Sequence, residues 1–414
     1  MAKILISSIG TGSLDRNATE RKYRTAQYKI DEKLYESSFI ASVLDRHLDV
    51  DRIVLIGTVK SMWEGVYEQF CDRRQIEKDF NYYTQLIEVI ENANHLSQLD
   101  SIDLSPIEKL LGNHSRCITI HYGLNETELN TNFNRIFELI DLVEKGDEIY
   151  IDITHSFRSL SLFLFLVLTF LNDIASDRAI EIKGVYYGMF EAIQELGHAP
   201  IVNLQSLFNI TRWIKGGYSF QSFGNGYLIA SLLEENGETS LAQSISQLSN
   251  TINLNYIPKL RQHATDLKRE LSNTSTTSPL QYLQPELKRF ADRFSRHGIP
   301  DSELQLDLAQ WYFQNKRYAT GYIALVEAII TYACEFQHVE DLTNYAERKK
   351  AKDFLKDRCD TALSKLFFEK ANPIRKAIAH AALDEQRTDP NTAINNAIAY
   401  CNEARRIFRS KGLG

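Results

Sequence analysis

Two groups of residues in this chain carry side chains that can do chemistry. The first is Asp152-Ile153-Thr154-His155-Ser156-Phe157-Arg158, which breaks an apolar stretch with a carboxylate, two hydroxyls, an imidazole and a guanidinium. The second is Asn372-Pro373-Ile374-Arg375-Lys376-Ala377-Ile378-Ala379-His380. Histidine gives or takes a proton near neutral pH, and arginine stabilises charge on a phosphate in transit. Those two types suffice for metal-independent RNA cleavage, in which the ribose 2′-hydroxyl attacks its own phosphate. Arg-x4-His is not specific by itself. The chain meets the same spacing at Arg116–His121, on a strand-like run where neighbouring faces are buried. On an ideal helix Arg375 and His380 lie about 140° apart, so one helix cannot aim both at one point without the long arginine or a second chain. A solvated helix surface is the plainer reading of the pair. The carboxylates Asp45, Asp49, Asp51, Glu64 and Asp72 have no metal-ligand spacing, so no metal site is expected.

The elements that must position these groups follow from periodicity. Residues 148–171 run from a β-branched strand (Ile149, Ile151, Ile153) through the polar cluster into a long apolar segment, a strand–turn–helix unit. Ligands of open α/β sheets sit outside the carboxyl ends of strands, near helix N-termini. Other strand-like runs are 3–9, 52–56, 116–121, 180–190 and 200–204, with helical patterning over 36–48, 61–95 and 128–144. Alternation of strand and helix predicts a mainly parallel sheet with right-handed crossovers, its last pair a candidate hairpin. The strand ends collect Ser7, Ser8, Gly10, Thr11, Gly12, Gly57 and Thr58 beside Asp152, Thr154, His155, Ser156 and Arg158. Gly-Thr-Gly alone lacks the third glycine and ribose-binding acid of a dinucleotide fingerprint, and turn glycines explain it equally well. Asn372 has the character of an N-cap and Pro373 that of a first helical residue, which would put Arg375 and His380 in the first turns of a helix.

From about residue 206 the pattern is helical to the end, broken at 272–279 (SNTSTTSP) and 297–301 (HGIPD). Residues 303–337 read as two helices with a turn near Asn315-Lys316. The division expected is 1–205, 206–300 and 301–414. The net charge of −7 argues against a general nucleic-acid coat, although residues 341–414 hold 15 Lys+Arg against 10 Asp+Glu. The run ERKKAKDFLKDR at 347–358 is most simply a solvated helix face. Five scattered cysteines without CxxC spacing suit a reducing cytoplasm. The N-terminus enters a strand without a signal-peptide pattern, and the longest apolar run, Leu160–Leu171, is shorter than the ~20 residues of a membrane span. A cytoplasmic protein with no membrane partner is expected.

The run DITHSFRSL at 152–160 resembles the Asp-x-Thr-His-Gly motif of CRISPR-associated proteins with a CARF domain, with Ser156 in place of the glycine. ISSIGTG at the start and LIGTVKSMW at 55–63 resemble the ligand loops of that family. ALVEAIITYA at 324–333 and the IRKAIAHA run resemble a HEPN ribonuclease domain, with Lys376 where many such sites have Asn. The resemblance implies a Rossmann-like CARF domain over 1–205, a helical connector over 206–300 and an α-helical HEPN domain over 301–414. It implies a homodimer, with larger assemblies left open, that binds one cyclic oligoadenylate, of which the four-adenylate ring is the usual one. Its ligand residues would be Ser8, Gly10, Thr11, Gly12, Gly57, Thr58, Thr154, His155, Ser156 and Arg158, with Asp152 orienting Thr154 and His155. Single-stranded RNA would be cut, without metal or other cofactor, where Arg375, Lys376 and His380 of two copies meet. His380 would act in proton transfer or 2′-hydroxyl positioning, and Arg375 would stabilise the phosphorane. The alternatives are a non-catalytic ligand-responsive regulator and a CARF domain that degrades its own ring ligand.

Overall fold

The computed structural model describes residues 1–14, 21–112, 114–155, 158–174, 181–273, 279–381 and 389–414. The chain divides into two compact units, Met1–Thr211 and Arg212–Gly414.

The first unit is built on an eight-stranded sheet. Its strands are β1 (Lys3–Ile9), β2 (Ala26–Ile30), β3 (Lys33–Ser37), β4 (Arg52–Gly57), β5 (Arg116–Thr119), β6 (Glu148–Asp152), β7 (Glu181–Gly188) and β8 (Ala199–Asn203). The spatial order is β3-β2-β8-β7-β6-β1-β4-β5. β1 lies between β4 and β6, and the pairs β1–β4, β1–β6, β4–β5, β6–β7 and β2–β8 are parallel. The pairs β7–β8 and β2–β3 are antiparallel. Both faces are covered, so the central strands are mostly apolar, with the polar residues Ser7, Ser8 and Asp152 near their carboxyl ends. Leu5, Ile9, Ile53 and Leu55 pack on one side with α1 (Ile40–Leu48), α2 (Trp63–Arg74), α3 (Phe80–Asn92) and α4 (Ser105–Leu111). Ile4, Ile6, Val54, Ile56, Ile149 and Ile151 pack on the other with α5 (Glu126–Phe137) and α6 (Arg158–Ile174). Helix α6 buries Leu160, Leu164 and Val167 at i, i+4 and i+7, as an amphipathic helix should.

The β2–β3 hairpin is absent from the sequence reading, which placed a helix from residue 36. The helix begins at Ile40, and Ser37 ends a strand. Buried and exposed side chains alternate along β2, but the turn uses Asp31 and Glu32, both at positive φ (45° and 64°), instead of the Asn-Gly or Asp-Gly that announces such turns.

The second unit is all helical: the end of α7 (Gln205–Phe223), then α8 (Tyr227–Glu235), α9 (Thr239–Asn253), α10 (Leu260–Asn273), α11 (Leu280–Phe294), α12 (Asp301–Gln314), α13 (Tyr318–Phe336) and α14 (Tyr345–Asp357). A helical run over 362–379 and α15 (Pro390–Ser410) complete it. One continuous core extends from Trp213 to Phe408, across the break at 297–301. The expected turn at Asn315-Lys316 separates α12 from α13, with Lys316 at φ 58°. Gly321 is required there, because a Cβ on it would stand 2.4 Å from the Phe313 ring. α13 is apolar and long enough to cross a membrane, yet 67% of its apolar window is buried inside the unit, where it acts as the core helix.

Tyr312 is wholly buried, and its hydroxyl donates to the Ile252 carbonyl at 2.5 Å, joining α12 to α9 across the break. Tyr312→Phe should lower the stability of this unit by about 1 to 2 kcal/mol. In urea denaturation of the full chain the helical unit should still unfold in one transition, shifted down. Two separate transitions for 212–300 and 301–414 would contradict a shared core.

Candidate functional site

At the carboxyl ends of β1 and β6 a buried carboxylate organises the turn. Asp152 is 0% exposed. Its Oδ2 accepts from Ser7 Oγ at 2.6 Å, and its Oδ1 accepts from Thr154 N at 2.9 Å and Thr154 Oγ1 at 2.6 Å. The Thr154 hydroxyl in turn accepts from the Gly188 amide at 2.9 Å, which links the end of β7 to the same chain of bonds. Burial pushes the Asp152 carboxyl above its ordinary range, and the bonds from Ser7 and Thr154 oppose the rise. Ser8 is also buried and donates to the Asp152 carbonyl at 3.3 Å. Asp152 therefore holds the turn and does not reach solvent.

The turn delivers His155. Its ring lies 4.4 Å from the Tyr23 ring and is stacked on Phe39 at 5.7 Å. Nε2 is buried without a hydrogen-bond partner. Burial lowers the imidazole pKa to about 4, so the ring is neutral at physiological pH. Gly10 packs directly on this turn: a Cβ there would stand 2.8 Å from the His155 carbonyl oxygen. The Gly10 carbonyl accepts from Tyr23 Oη at 2.9 Å and from Met62 N at 3.0 Å. Gly12 has φ +70° and lies against Met62, so no other residue fits at either place without displacement. Thr11 lies between them, half-buried.

Gly57 and Thr58 brace the neighbouring loop. Thr58 is 2% exposed; its amide donates to Ser61 Oγ at 2.9 Å and its carbonyl accepts from Trp63 Nε1 at 2.9 Å. Ser61 Oγ then donates to the Ile9 carbonyl at 2.9 Å, tying this loop to the end of β1. The side chains of both Ser8 and Thr58 are buried. Ser156 lies outside the described residues, and Arg158 opens α6 with its side chain outside them too. Tyr23 and Phe39, the rings that frame His155, were not singled out from sequence; the signal available was an aromatic residue on each side of the hairpin.

Tyr23 also lines a cavity of about 400 Å³ whose wall carries Glu64, Glu68, Asp72 and Glu91. Glu68 there is paired with Lys78 at 2.6 Å. Among the described residues no group of three or more His, Cys, Asp or Glu is placed to hold a metal ion.

The second group of residues is placed differently from expectation. Asn372 is not an N-cap: it has helical dihedrals (φ −70°, ψ −34°) inside a run that starts with Thr361 capping Ser364 N. Within the run Leu366–Ala371 is a π-turn, and the Asn372 amide donates to the Phe367 carbonyl five residues back. Pro373 explains the wide turn, since its ring would collide with the carbonyl four residues earlier in a regular helix and it has no amide to donate. Arg375 is the fourth residue of the helix Asn372–Ala379, Lys376 lies in its last turn, and His380 is the residue that ends it. Arg375 is half-buried, while Lys376 and His380 are exposed. At the other pair, the His121 amide donates to Asn132 Oδ1 at 2.7 Å and its carbonyl accepts from Asn132 Nδ2 at 2.9 Å, and the Arg116 guanidinium lies 3.8 Å from Glu108.

The buried imidazole has a pH signature. A histidine whose folded pKa is depressed to about 4 binds fewer protons folded than unfolded between about pH 4 and the ordinary value near 6.5. Stability should rise with pH across that window and fall as acid is added. His155→Phe, which keeps the ring stack, should flatten that part of the melting-temperature profile; an unchanged profile would show that His155 titrates freely.

Comparison with known proteins agrees with this geometry. Residues 4–191 match the family model for the CARF domain of the CRISPR system endoribonuclease Csx1. Residues 209–302 match that for the second domain of the CRISPR-associated protein MJ1674. The MJ1674 protein of Methanocaldococcus jannaschii is 35% identical over 413 residues, covering 94% of this chain and 64% of that protein. The chain thus spans somewhat under two thirds of the length of this curated relative. Among solved structures, Enterococcus italicus Csm6 bound to cyclic hexa-2′-fluoro-hexa-dAMP aligns with 99% of this chain and 94% of that one, at 12% identity and a TM-score of 0.39, which is too low to define a shared fold. Residues 4–191 thus match a CARF domain of the Csx1 type, in a chain similar over 94% of its length to a CRISPR-associated protein.

Proposed function

We propose that the chain is a cyclic-oligoadenylate-activated, metal-independent endoribonuclease of type III CRISPR defence that cuts single-stranded RNA. The observation that carries the reading is the His155 cradle in a Csx1-type CARF sheet. There a neutral imidazole with an unpartnered Nε2 packs in one cluster with the Tyr23 and Phe39 rings, against a glycine loop. Tyr23 and His155 suit an adenine, and the Gly10-Thr11-Gly12 backbone lets phosphates approach closely. Ser8, Thr58 and Asp152 would position the contacts, and direct ones fall to Gly10–Gly12, Thr154, His155, Ser156 and Arg158.

A symmetric ring suits a two-fold site, so the active form is a homodimer. Leu162 and Leu166 on α6 are 63% and 56% exposed, an apolar stripe of the kind that a second copy covers. Two copies would also bring Arg375, Lys376 and His380 to their symmetry mates, which answers the divergence of the pair on one helix. His380 would move the proton of the 2′-hydroxyl or hold that group in place, and Arg375 with Lys376 would neutralise the phosphorane. The products would carry a 2′,3′-cyclic phosphate. The description of Csx1 as an endoribonuclease supports the assignment.

Cleavage of labelled RNA in EDTA, with and without cyclic tetra-adenylate, tests it. The ring should stimulate cutting, and His380→Ala should reduce it by roughly 100-fold or more. Tyr23→Ala should raise the ring concentration needed for half-activation about tenfold, as expected for one lost base stack. Undiminished cutting by His380→Ala would overturn the site, and indifference to rings of three, four and six adenylates would overturn the activation.

A further inference from the structure

Three arginines of the helical unit crowd one carboxylate. Asp307 on α12 is 8% exposed, and its side chain pairs with Arg405 at 2.8 Å and with Arg296. The Asp307 carbonyl accepts from Arg293 Nη2 at 3.0 Å, and the Arg293 carbonyl accepts from Arg296 Nε at 2.9 Å. Arg405 also donates to Gln310 Oε1 at 2.7 Å. One negative charge thus faces three positive ones; Arg405 is 24% exposed and Arg296 45%, so salt screens the Arg296 pair more. Burial lowers the proton affinity of Arg293, with Arg405 and Arg296 adding to the effect and Asp307 opposing it. Each guanidinium carries five donors, more than these bonds use. Excess charge with spare donors is what an anion relieves.

Arg293 also lines a cavity of about 430 Å³. One wall is aromatic: Phe220 and Trp311 each meet Phe290 edge-on at 5.3 Å. Arg289 stands at the rim with its side chain 74% exposed, paired at 2.9 Å with Glu286, and Gln221 adds an amide. The volume falls in the range of roughly 300–1,000 Å³ usual for ligand sites. Aromatic surface beside arginines is the chemistry that holds single-stranded nucleic acid, by base stacking and phosphate pairing.

We propose that this cavity is a docking subsite for one nucleotide of a single-stranded RNA, with its base against Phe220, Phe290 and Trp311 and its phosphate on Arg289 and Arg293. The subsite rests on the endoribonuclease reading for its ligand, but it is carried on α7, α11 and α12 and uses none of Arg375, Lys376 or His380. It would hold the strand outside the cleavage site and set how long an RNA must be to bind well.

Binding of a fluorescent 2′-O-methyl ten-mer, which lacks the attacking hydroxyl, tests the subsite in the full chain by anisotropy over a range of salt. Arg289→Glu and Arg293→Gln should each weaken binding about tenfold, and each lost phosphate contact should flatten the slope of log K against log salt by roughly 0.7. Arg289→Glu changes an exposed side chain and decides the matter if Arg293→Gln fails to fold. Unchanged affinity and slope in Arg289→Glu, or displacement of the RNA by poly-glutamate as effective as by unlabelled RNA, would overturn the subsite. The two readings fail separately. Arg289-dependent binding without His380-dependent cleavage removes the nuclease and keeps the subsite, whereas His380-dependent cleavage with an Arg289→Glu KM equal to that of the parent removes the subsite alone.

Discussion

A carboxylate cut off from water must be held by donors, and the donors of Asp152 come from a neighbouring strand and from its own turn. Ser7 supplies one from β1, and Thr154 supplies two. The Thr154 hydroxyl passes the constraint on to Gly188 at the end of β7. Three adjacent strand ends are thereby locked through one buried charge, and each bond is short because the alternative is an ion without solvation. The position of His155 follows from that lock. So does the need for glycine at position 10, where the turn leaves no room for a side chain.

The helical unit solves a different problem. Lys376 and His380 are exposed and Arg375 is half-buried, and what fixes them is the helix that carries them. That helix contains a proline in its interior, which a regular α-turn does not accept. The π-turn before it absorbs the conflict and leaves Asn372 buried, with an Oδ1 that has no partner. A wide turn and an orphaned amide immediately before Arg375 mark a segment whose local geometry is held by the surrounding core, through buried neighbours such as Phe367, Ala371 and Ile374.

Much of this was legible in the residues. β-branched runs gave the central strands, and the DITHSFR run gave the loop because polar groups at a strand end have few purely structural uses. The hairpin over 26–37 was missed, since Asp31 and Glu32 make its turn without glycine. The aromatic frame of His155 was missed because Tyr23 and Phe39 are brought to it by β2, β3 and β8 pairing, which no local pattern encodes. The start of the Arg375 helix was misread for a good local reason: Asn-Pro is a sound beginning in isolation, and only a core that continues the helix through it makes the π-turn necessary. Contacts such as Arg405 with Asp307, far apart in sequence, lie wholly beyond motif reading.

The position of β1 has a consequence for biosynthesis. Of the eight strands it is made first, yet its neighbour β6 lies about 140 residues later, and β2 waits for β8 near residue 203. At roughly 5–20 residues per second, the first strand spends on the order of 10–40 s without a complete sheet. The nascent chain can pair β1 with β4, β4 with β5 and β2 with β3 early, but the β6 side of β1 stays open until about residue 150, while the helices that follow are joined largely to near neighbours. Protection by chaperones, if it is needed anywhere in this molecule, is needed during that interval.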